Sequence, residues 1–80
     1  MLLHGWPQHW WMWHKVLPEL SRTYRCIVPD LRGLGWTDAP AGGYDKRRLA
    51  LDVLALLDEL DVGKVRLIGH DWGAVASVHL

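Results

Sequence analysis

A single carboxylate stands out in this sequence because of its neighbours. Residues 69–73 read Gly-His-Asp-Trp-Gly and lie between the apolar run 65–68 and a further run of small and apolar residues. Glycines on both sides allow a strand and a helix to meet in a sharp turn from which Asp71 projects. Its carboxylate is ionised at neutral pH, is favoured at a helix N-terminus and needs no base to act as a nucleophile. The pattern predicts a nucleophilic aspartate; the alternative is an ordinary turn or N-cap aspartate.

The elements that must position Asp71 are indicated by changes in the spacing of apolar residues. Short apolar runs, of which the one at 26–28 is mostly β-branched, alternate with runs at helical spacing. Pro18 lacks an N–H, so the first helix should kink or restart there. Asp45 is a candidate N-cap, and Gly63 lies at or near the C-terminal glycine position of the same helix. The predicted elements are strands at 1–3, 26–28 and 65–68, helices at 9–20, at 45–60 and from 72 onward, and a loop at 31–44.

The order of these elements, β-α-β-loop-α-β-α, predicts the α/β class. We expect one partial domain over residues 1–80, built as a parallel sheet with flanking helices and right-handed crossovers. The strand at 1–3 should lie between the strands at 26–28 and 65–68. One face of the helix at 45–60 carries an apolar stripe that should pack against this sheet. The stripe consists of Leu49, Val53, Leu56, Leu57 and Leu60.

The composition argues against several classes of function. Nine basic and nine acidic residues give a formal net charge of zero, so there is no basic surplus for nucleic acid or an anionic membrane surface. No apolar run reaches the ~18 residues of a membrane span. The single Cys26 cannot form an internal disulfide and fits a reducing cytoplasm. With 80 residues the core must be small, and we expect a fragment of a larger fold.

Histidines and tryptophans are the other residues that could carry chemistry. The histidine spacings match no zinc-binding pattern, so we expect neither a metal nor a cofactor. We expect the histidine inside the 69–73 turn to pack and not to act as an acid or base. A tryptophan cluster could line an apolar pocket, but packing of an amphipathic helix is the simpler interpretation for its first and last members. These residues are His4, His9, His14 and His70, and Trp10, Trp11 and Trp13.

Three motifs occur together along the chain. Residues 4–7 read His-Gly-Trp-Pro, residues 30–35 read Asp-Leu-Arg-Gly-Leu-Gly, and the 69–73 turn follows them. In this order on the predicted frame, the sequence resembles the α/β-hydrolase fold over essentially all of its length. More narrowly, it resembles the epoxide hydrolases and their haloalkane dehalogenase relatives. In the 30–35 motif, Asp30 and Arg32 should order the following loop by local hydrogen bonds.

The resemblance implies a role for each matching residue. Asp71 corresponds to the nucleophile that forms a covalent alkyl-enzyme ester. Trp6 and Trp72 correspond to positions whose backbone N–H groups form an oxyanion hole, which stabilises the intermediate when water attacks the ester. The peptide bond between Trp6 and Pro7 is often cis in this motif. The implied substrate is a small apolar epoxide opened to a diol; the alternative is an alkyl halide, whose departing halide would be held by the Trp72 indole N–H.

The remaining catalytic residues of the family have no counterpart within residues 1–80. Its base histidine, the acidic partner of that base and the cap-domain tyrosines all lie further along the chain than Leu80 in this alignment of motifs. The chain also begins at the family's third strand. The resemblance therefore implies a partial domain that holds the nucleophile without its base. An interpretation from a different class is a truncated, inactive chain with no catalytic function.

Overall fold

All residues from 1 to 80 are described in a computed structural model, and a parallel pair of short strands lies at its centre. Strand β1 (Leu2–Leu3) pairs with β2 (Ile68–Gly69), with Leu2 opposite Ile68. On the other side of β1, the Leu2 N–H donates to the Ile27 carbonyl at 2.9 Å. The first strand therefore has a backbone neighbour on each side, as the sequence predicts.

Two predicted strands differ from what the sequence indicates. Segment 26–28 is half-buried, but the prediction of a strand there is wrong because a single hydrogen bond to β1 does not make a ladder. The last strand begins at Ile68 and not at residue 65. The Met1 amine already donates to the Arg66 carbonyl at 2.7 Å, so residues before Arg66 extend past the start of β1. A strand can only be as long as the partner that supplies its hydrogen bonds.

The first predicted helix is divided in two. A 3₁₀-helix covers Trp10–Trp13 and helix α1 covers Leu17–Leu20, with a turn between them. The His9 side chain caps the 3₁₀-helix by accepting a hydrogen bond from the Trp11 N–H. Pro18 lies in the first turn of α1, where its missing N–H costs no helical hydrogen bond. The predicted restart at Pro18 is therefore confirmed, although the break begins several residues earlier.

Helix α2 (Lys46–Glu59) places most of the predicted stripe in the core. Asp45 caps it as predicted, because its carboxylate accepts the Arg48 N–H at 2.9 Å. Leu56 is partly buried, whereas Leu60 is 37% exposed because it lies at the C-cap, where the chain leaves the helix. The buried residues of this helix are Leu49, Ala50, Val53 and Leu57.

Asp61, and not Gly63, provides the left-handed residue that ends α2. Its φ is 56°, and its N–H donates to the Asp58 carbonyl at 3.0 Å. The next N–H, that of Val62, donates to the Leu57 carbonyl at 2.9 Å. These two bonds form a Schellman motif, in which glycine is the usual but not the required residue. Gly63, expected at or near this position, lies two residues beyond it.

Helix α3 (Trp72–Val78) packs on both strands and on α2. Neighbouring residues of a strand face opposite sides, so Leu3 faces the core with α2, and Leu2 lines a groove with Leu20 of α1. No helix combines the length and the apolar character needed to cross a bilayer. The buried apolar cluster consists of Met1, Leu3, Leu31, Val53 and Leu57.

Candidate active site

The backbone turns sharply at Asp71, between the end of β2 and the start of α3. Its φ of 55° and ψ of −121° lie in a region that residues other than glycine seldom adopt. Such strain persists where the surrounding structure holds it, and it is concentrated at functional sites. The sharp turn predicted from the sequence is therefore present, and the Asp71 side chain is exposed on it.

Gly69 and Gly73 make this turn possible because neither position has room for a side chain. A β-carbon at Gly73 would overlap the carbonyl oxygens of Leu3 and His4. A β-carbon at Gly69 would lie 2.6 Å from both the Gly73 carbonyl oxygen and the Ser77 Oγ. Helix and strand thus approach each other as closely as two backbones can, which is the reason for small residues on both sides of the turn.

Gly73→Ala is expected to destabilise the protein by about 3 kcal/mol, because the backbone carbonyls of Leu3 and His4 cannot move aside as a flexible side chain can. Gly63→Ala is the matched control, since nothing lies within 4 Å of a β-carbon at that position. Urea unfolding followed by tryptophan fluorescence measures the free energy of unfolding of both variants. Equal midpoints would contradict the close approach of α3 and β1.

The Asp71 carboxylate is held by backbone N–H groups from two parts of the chain. The Trp6 N–H donates to Oδ2 at 3.0 Å. This bond holds the pKa of the Asp71 carboxyl below its ordinary value, and the Trp72 N–H contributes a second, smaller effect in the same direction. The peptide bond between Trp6 and Pro7 is cis, and Gly5 packs so closely against the Asp71 side chain that a β-carbon would not fit. The structure thus brings together all three residues that the sequence assigned to the site.

His4 fixes the segment that carries Trp6. Its side chain is fully buried; Nε2 accepts the Leu31 N–H at 2.9 Å and Nδ1 lies 2.9 Å from the Gly5 carbonyl oxygen. A backbone N–H only donates, so these bonds assign the neutral Nδ1–H tautomer. From the sequence, His4 was considered only as a metal ligand, and this positioning role was missed. Its place in the His-Gly-Trp-Pro motif was the available signal.

Asp30 connects the loop at 31–44 to the 3₁₀-helix. Oδ1 accepts the Trp10 N–H at 2.7 Å and Oδ2 accepts the Trp36 N–H at 2.9 Å. The Asp30 carbonyl accepts the Thr37 hydroxyl at 2.7 Å. Gly35, with a φ of 56°, packs against the same carboxylate and leaves no room for a β-carbon. The prediction that Asp30 orders this loop by local hydrogen bonds is confirmed, and the bond to Trp10 adds a longer link.

Arg32 acts over a longer range than the local hydrogen bonds predicted from the sequence. Its Nε and Nη2 donate to the two carboxylate oxygens of Asp52 in α2, both at 2.7 Å, and Nη1 donates to the Gly42 carbonyl at 3.0 Å. The bond to Asp52 raises the pKa of the Arg32 guanidinium. The loop is therefore anchored to α2. No local spacing signals a pair twenty residues apart, so Asp52 was missed.

The other aromatic residues divide between packing and exposure. His70 is exposed, so the prediction that it packs is wrong. Trp10 and Trp13 are half-buried, in line with the packing interpretation, and the buried Trp13 Nε1 has no hydrogen-bond partner. Trp11 is 51% exposed and stacks on His14, with ring centroids 4.5 Å apart. None of these side chains is a hydrogen-bond partner of the Asp71 carboxylate.

A parallel pair of strands with helices against it and a sharp turn at Asp71 between β2 and α3 define an α/β fold. The family model of the α/β hydrolase fold matches residues 1–80. The chain belongs to this family, and the fold class expected from the sequence is confirmed.

Several relatives of the chain are named as epoxide hydrolases. The soluble epoxide hydrolase of Corynebacterium sp. (strain C12) is 52% identical over 79 residues, which cover 99% of this chain and 28% of that protein. Epoxide hydrolase 3 of Siraitia grosvenorii is 49% identical over 80 residues, covering 96% and 25%. The solved structure of epoxide hydrolase CorEH without ligand matches with a TM-score of 0.95 and 49% identity, over 98% of this chain and 28% of that chain. The chain spans about a quarter of the length of these relatives.

Proposed function

We propose that the whole protein containing residues 1–80 hydrolyses epoxides to diols, with Asp71 as its nucleophile. The similarity to proteins named epoxide hydrolases, at 44–52% identity, supports this substrate class. The observation that carries the proposal is an exposed carboxylate on a strained turn, with one oxygen bonded to the Trp6 N–H. A carboxylate in this position can displace a leaving group at carbon without prior activation by a base.

In the first step, Asp71 attacks an epoxide carbon from the side opposite the breaking C–O bond. The Trp6 N–H occupies Oδ2, so we assign the attack to Oδ1. A bond forms between Oδ1 and carbon, the C–O bond breaks, and the epoxide oxygen leaves with the electron pair and takes up a proton. The family resemblance assigns the donor of that proton to cap tyrosines outside residues 1–80. The product is an alkyl ester in which Oδ2 is the carbonyl oxygen.

In the second step, water attacks the ester carbonyl carbon of Asp71. The electron pair of the carbonyl bond moves onto Oδ2, which already lies 3.0 Å from the Trp6 nitrogen. Donors that are in place before the charge develops need no reorganisation, and removing one costs about 10²–10³ in rate in other enzymes. The intermediate then expels the diol and restores the carboxylate. The base that activates the water is assigned to a histidine outside residues 1–80.

The pH dependence of ester formation should follow the pKa of Asp71. The hydrogen bond from the Trp6 N–H lowers this pKa most, and the Trp72 N–H lowers it further. The attacking form is the carboxylate, which is populated above the pKa. As the pH falls, the rate should therefore decline only below the ordinary aspartate value of about 3.9. Quenched single-turnover reactions analysed by mass spectrometry measure the rate. If the rate were half-maximal at a pH clearly above that value, the result would contradict the lowered pKa.

An isotope experiment tests the ester pathway directly. The protein is mixed in excess with styrene oxide in water enriched in the heavy oxygen isotope, so that each molecule reacts once. The new oxygen of the diol should be unlabelled, because it comes from Asp71, and the label should appear in the Asp71 carboxyl group. Label in the diol after a single turnover would show direct attack by water and would refute the proposal.

The Trp72 side chain favours one second candidate, hydrolysis of alkyl halides. It is 42% exposed and follows Asp71 directly, so its indole N–H is free to donate to a departing halide. The same carboxylate attack would then break a carbon–halogen bond. Bromide release from 1-bromobutane and diol formation from styrene oxide, measured with one preparation, separate the two candidates. Bromide release without diol formation would replace the epoxide proposal.

The proposal also places the protein in the reducing cytoplasm. Cys26 is the single cysteine and is unpaired, and structural disulfides are typical of oxidising compartments. Fractionation of the source cells, followed by assay of diol formation, tests this location. Activity confined to a secreted or periplasmic fraction would contradict it.

A further inference from the structure

The Trp6 N–H that donates to Asp71 belongs to a peptide group whose carbonyl is also held. This peptide joins Gly5 to Trp6 in the trans form, because the one cis bond of the chain follows Trp6. The Gly5 carbonyl oxygen accepts the Gln8 N–H at 2.8 Å and lies 2.9 Å from the donating Nδ1 of His4. In a planar trans peptide the C=O and N–H bonds point in opposite directions. Bonds that fix the Gly5 oxygen therefore also fix the direction of the Trp6 N–H.

A second peptide group lies on the other side of the His4 ring in the same arrangement. The Leu31 N–H donates to His4 Nε2 at 2.9 Å. The carbonyl of the same peptide, that of Asp30, accepts the Thr37 hydroxyl at 2.7 Å. His4 is fully buried and Leu31 is buried as well, so the bond between them is shielded from water. Each of these groups accepts a hydrogen bond on one side and donates one on the other.

Four hydrogen bonds thus run in one direction from Thr37 to Asp71, and we call them the Thr37–Asp71 path. Their donors and acceptors are, in order, the Thr37 hydroxyl and the Asp30 carbonyl, the Leu31 N–H and His4 Nε2, His4 Nδ1 and the Gly5 carbonyl, and the Trp6 N–H and Asp71 Oδ2. Hydrogen bonds in such a series polarise one another and strengthen each bond by about 10–30%. The last donor of the series acts on the proposed nucleophile.

We propose that Thr37 is a positioning residue for hydrolysis of the Asp71 ester, acting through this path on the Trp6 N–H. The inference rests on the proposed function, because it extends the same site to a side chain that bonds to Asp30 and not to Asp71. The effect should fall on the second step, in which charge develops on Oδ2 opposite the Trp6 N–H. Thr37 is exposed, so its hydroxyl can be removed without opening a cavity in the core.

The test follows formation and decay of the Asp71 ester in the whole protein during a single turnover of styrene oxide. Thr37→Val removes the hydroxyl and keeps the branched shape of the side chain. An oxyanion donor is worth about 10²–10³ in rate, so a change of about 10–30% in its strength predicts an ester decay about threefold slower. Ester formation should not be slowed, because a weaker hydrogen bond does not make the carboxylate less nucleophilic. Quenched samples analysed by intact-mass spectrometry give both rates.

Two further substitutions are controls. Thr37→Ser keeps the hydroxyl and should retain the rate of ester decay. Thr23→Val makes the same change at an exposed threonine outside the path and should leave both rates unaltered. An unaltered decay rate in the folded Thr37→Val protein overturns the proposal. Equal slowing of formation and decay also overturns it, since that result indicates a general loss of structure.

A double-mutant comparison tests the path itself. His4→Asn keeps a donor to the Gly5 carbonyl, because asparagine Nδ2 takes the place of histidine Nδ1, but it removes the acceptor of the Leu31 N–H. With the path interrupted, Thr37→Val should have no further effect on ester decay. Effects of the two substitutions that simply multiply would contradict coupling through His4. Circular dichroism reports on folding, and if His4→Asn does not fold, the Thr37 variants decide the outcome.

An NMR measurement that needs no turnover separates this inference from the proposed function. A backbone amide proton resonates further downfield when its hydrogen bond is stronger. The Trp6 amide signal should therefore move upfield in Thr37→Val and stay in place in Thr37→Ser and Thr23→Val. Upfield movement without any ester or diol would retain the path and refute the proposed function. Normal ester turnover with an unmoved Trp6 signal and unaltered ester decay would retain the function and refute the role of Thr37.

Discussion

Replacing Asp71 by asparagine in the whole protein is expected to abolish epoxide hydrolysis from the first measurement onward. The neutral amide cannot supply the attacking oxygen, and loss of a covalent nucleophile costs about 10⁴-fold or more in other enzymes. The fold should remain intact, because the amide oxygen of asparagine can still accept the Trp6 N–H that Oδ2 accepts. The initial rate of diol formation is the measurement, with circular dichroism to report on the fold.

Asp58→Asn is the matched control for this substitution. Asp58 is an exposed residue of α2, outside the site, and makes no side-chain hydrogen bond or ion pair. The control variant should retain its full rate of diol formation. If Asp71→Asn were as active as Asp58→Asn, Asp71 could not be the nucleophile.

The second large effect concerns residues 1–80 by themselves. This chain is expected to form at most one ester and to show no repeated turnover. Attack by Asp71 does not require a base, but breakdown of the ester does, and the groups that contact this carboxylate are backbone N–H groups. Even the first attack should be slow without an acid to protonate the leaving oxygen.

Intact-mass spectrometry of the 80-residue chain after incubation with styrene oxide measures the ester, and chromatography measures the diol. The Asp71→Asn chain serves as control and should gain no mass. Diol that continues to accumulate beyond one equivalent per chain would show that residues 1–80 contain a complete catalytic apparatus.

The turn around Asp71 could be predicted because its requirements are local. Close approach of a strand and a helix excludes side chains at Gly69 and Gly73, and this exclusion is visible in the sequence as glycine. The cap of α2 at Asp45 was predictable for the same reason, since the carboxylate and the Arg48 N–H that it accepts are three residues apart. Requirements that involve only neighbouring residues restrict the residue type at a position, so they can be recognised in the sequence.

Features that depend on distant partners could not be predicted. Segment 26–28 has the composition of a strand, but it reaches β1 through only one backbone bond, at Ile27. Arg32 was expected to act locally, and its partner, Asp52, lies twenty residues further along the chain. Asp61 shows the third case: glycine favours the left-handed conformation, yet an aspartate adopts it here while Gly63 does not. In each case the outcome depends on the tertiary structure around the residue and not on its immediate neighbours in the sequence.

The hydrogen bond from Trp6 to Asp71 Oδ2 affects the reactant as well as the intermediate. A donor binds a charged oxygen more strongly than a neutral one. In the mechanism that we propose, Oδ2 is charged in the free carboxylate, neutral in the ester and charged again in the tetrahedral intermediate. The same N–H would then make the carboxylate a weaker nucleophile and make the ester easier to hydrolyse. Only the difference in binding between two states changes a rate. In that mechanism, compared with a site lacking this donor, the covalent ester would be the species that the protein stabilises least, and the chemistry would be biased towards release of the product.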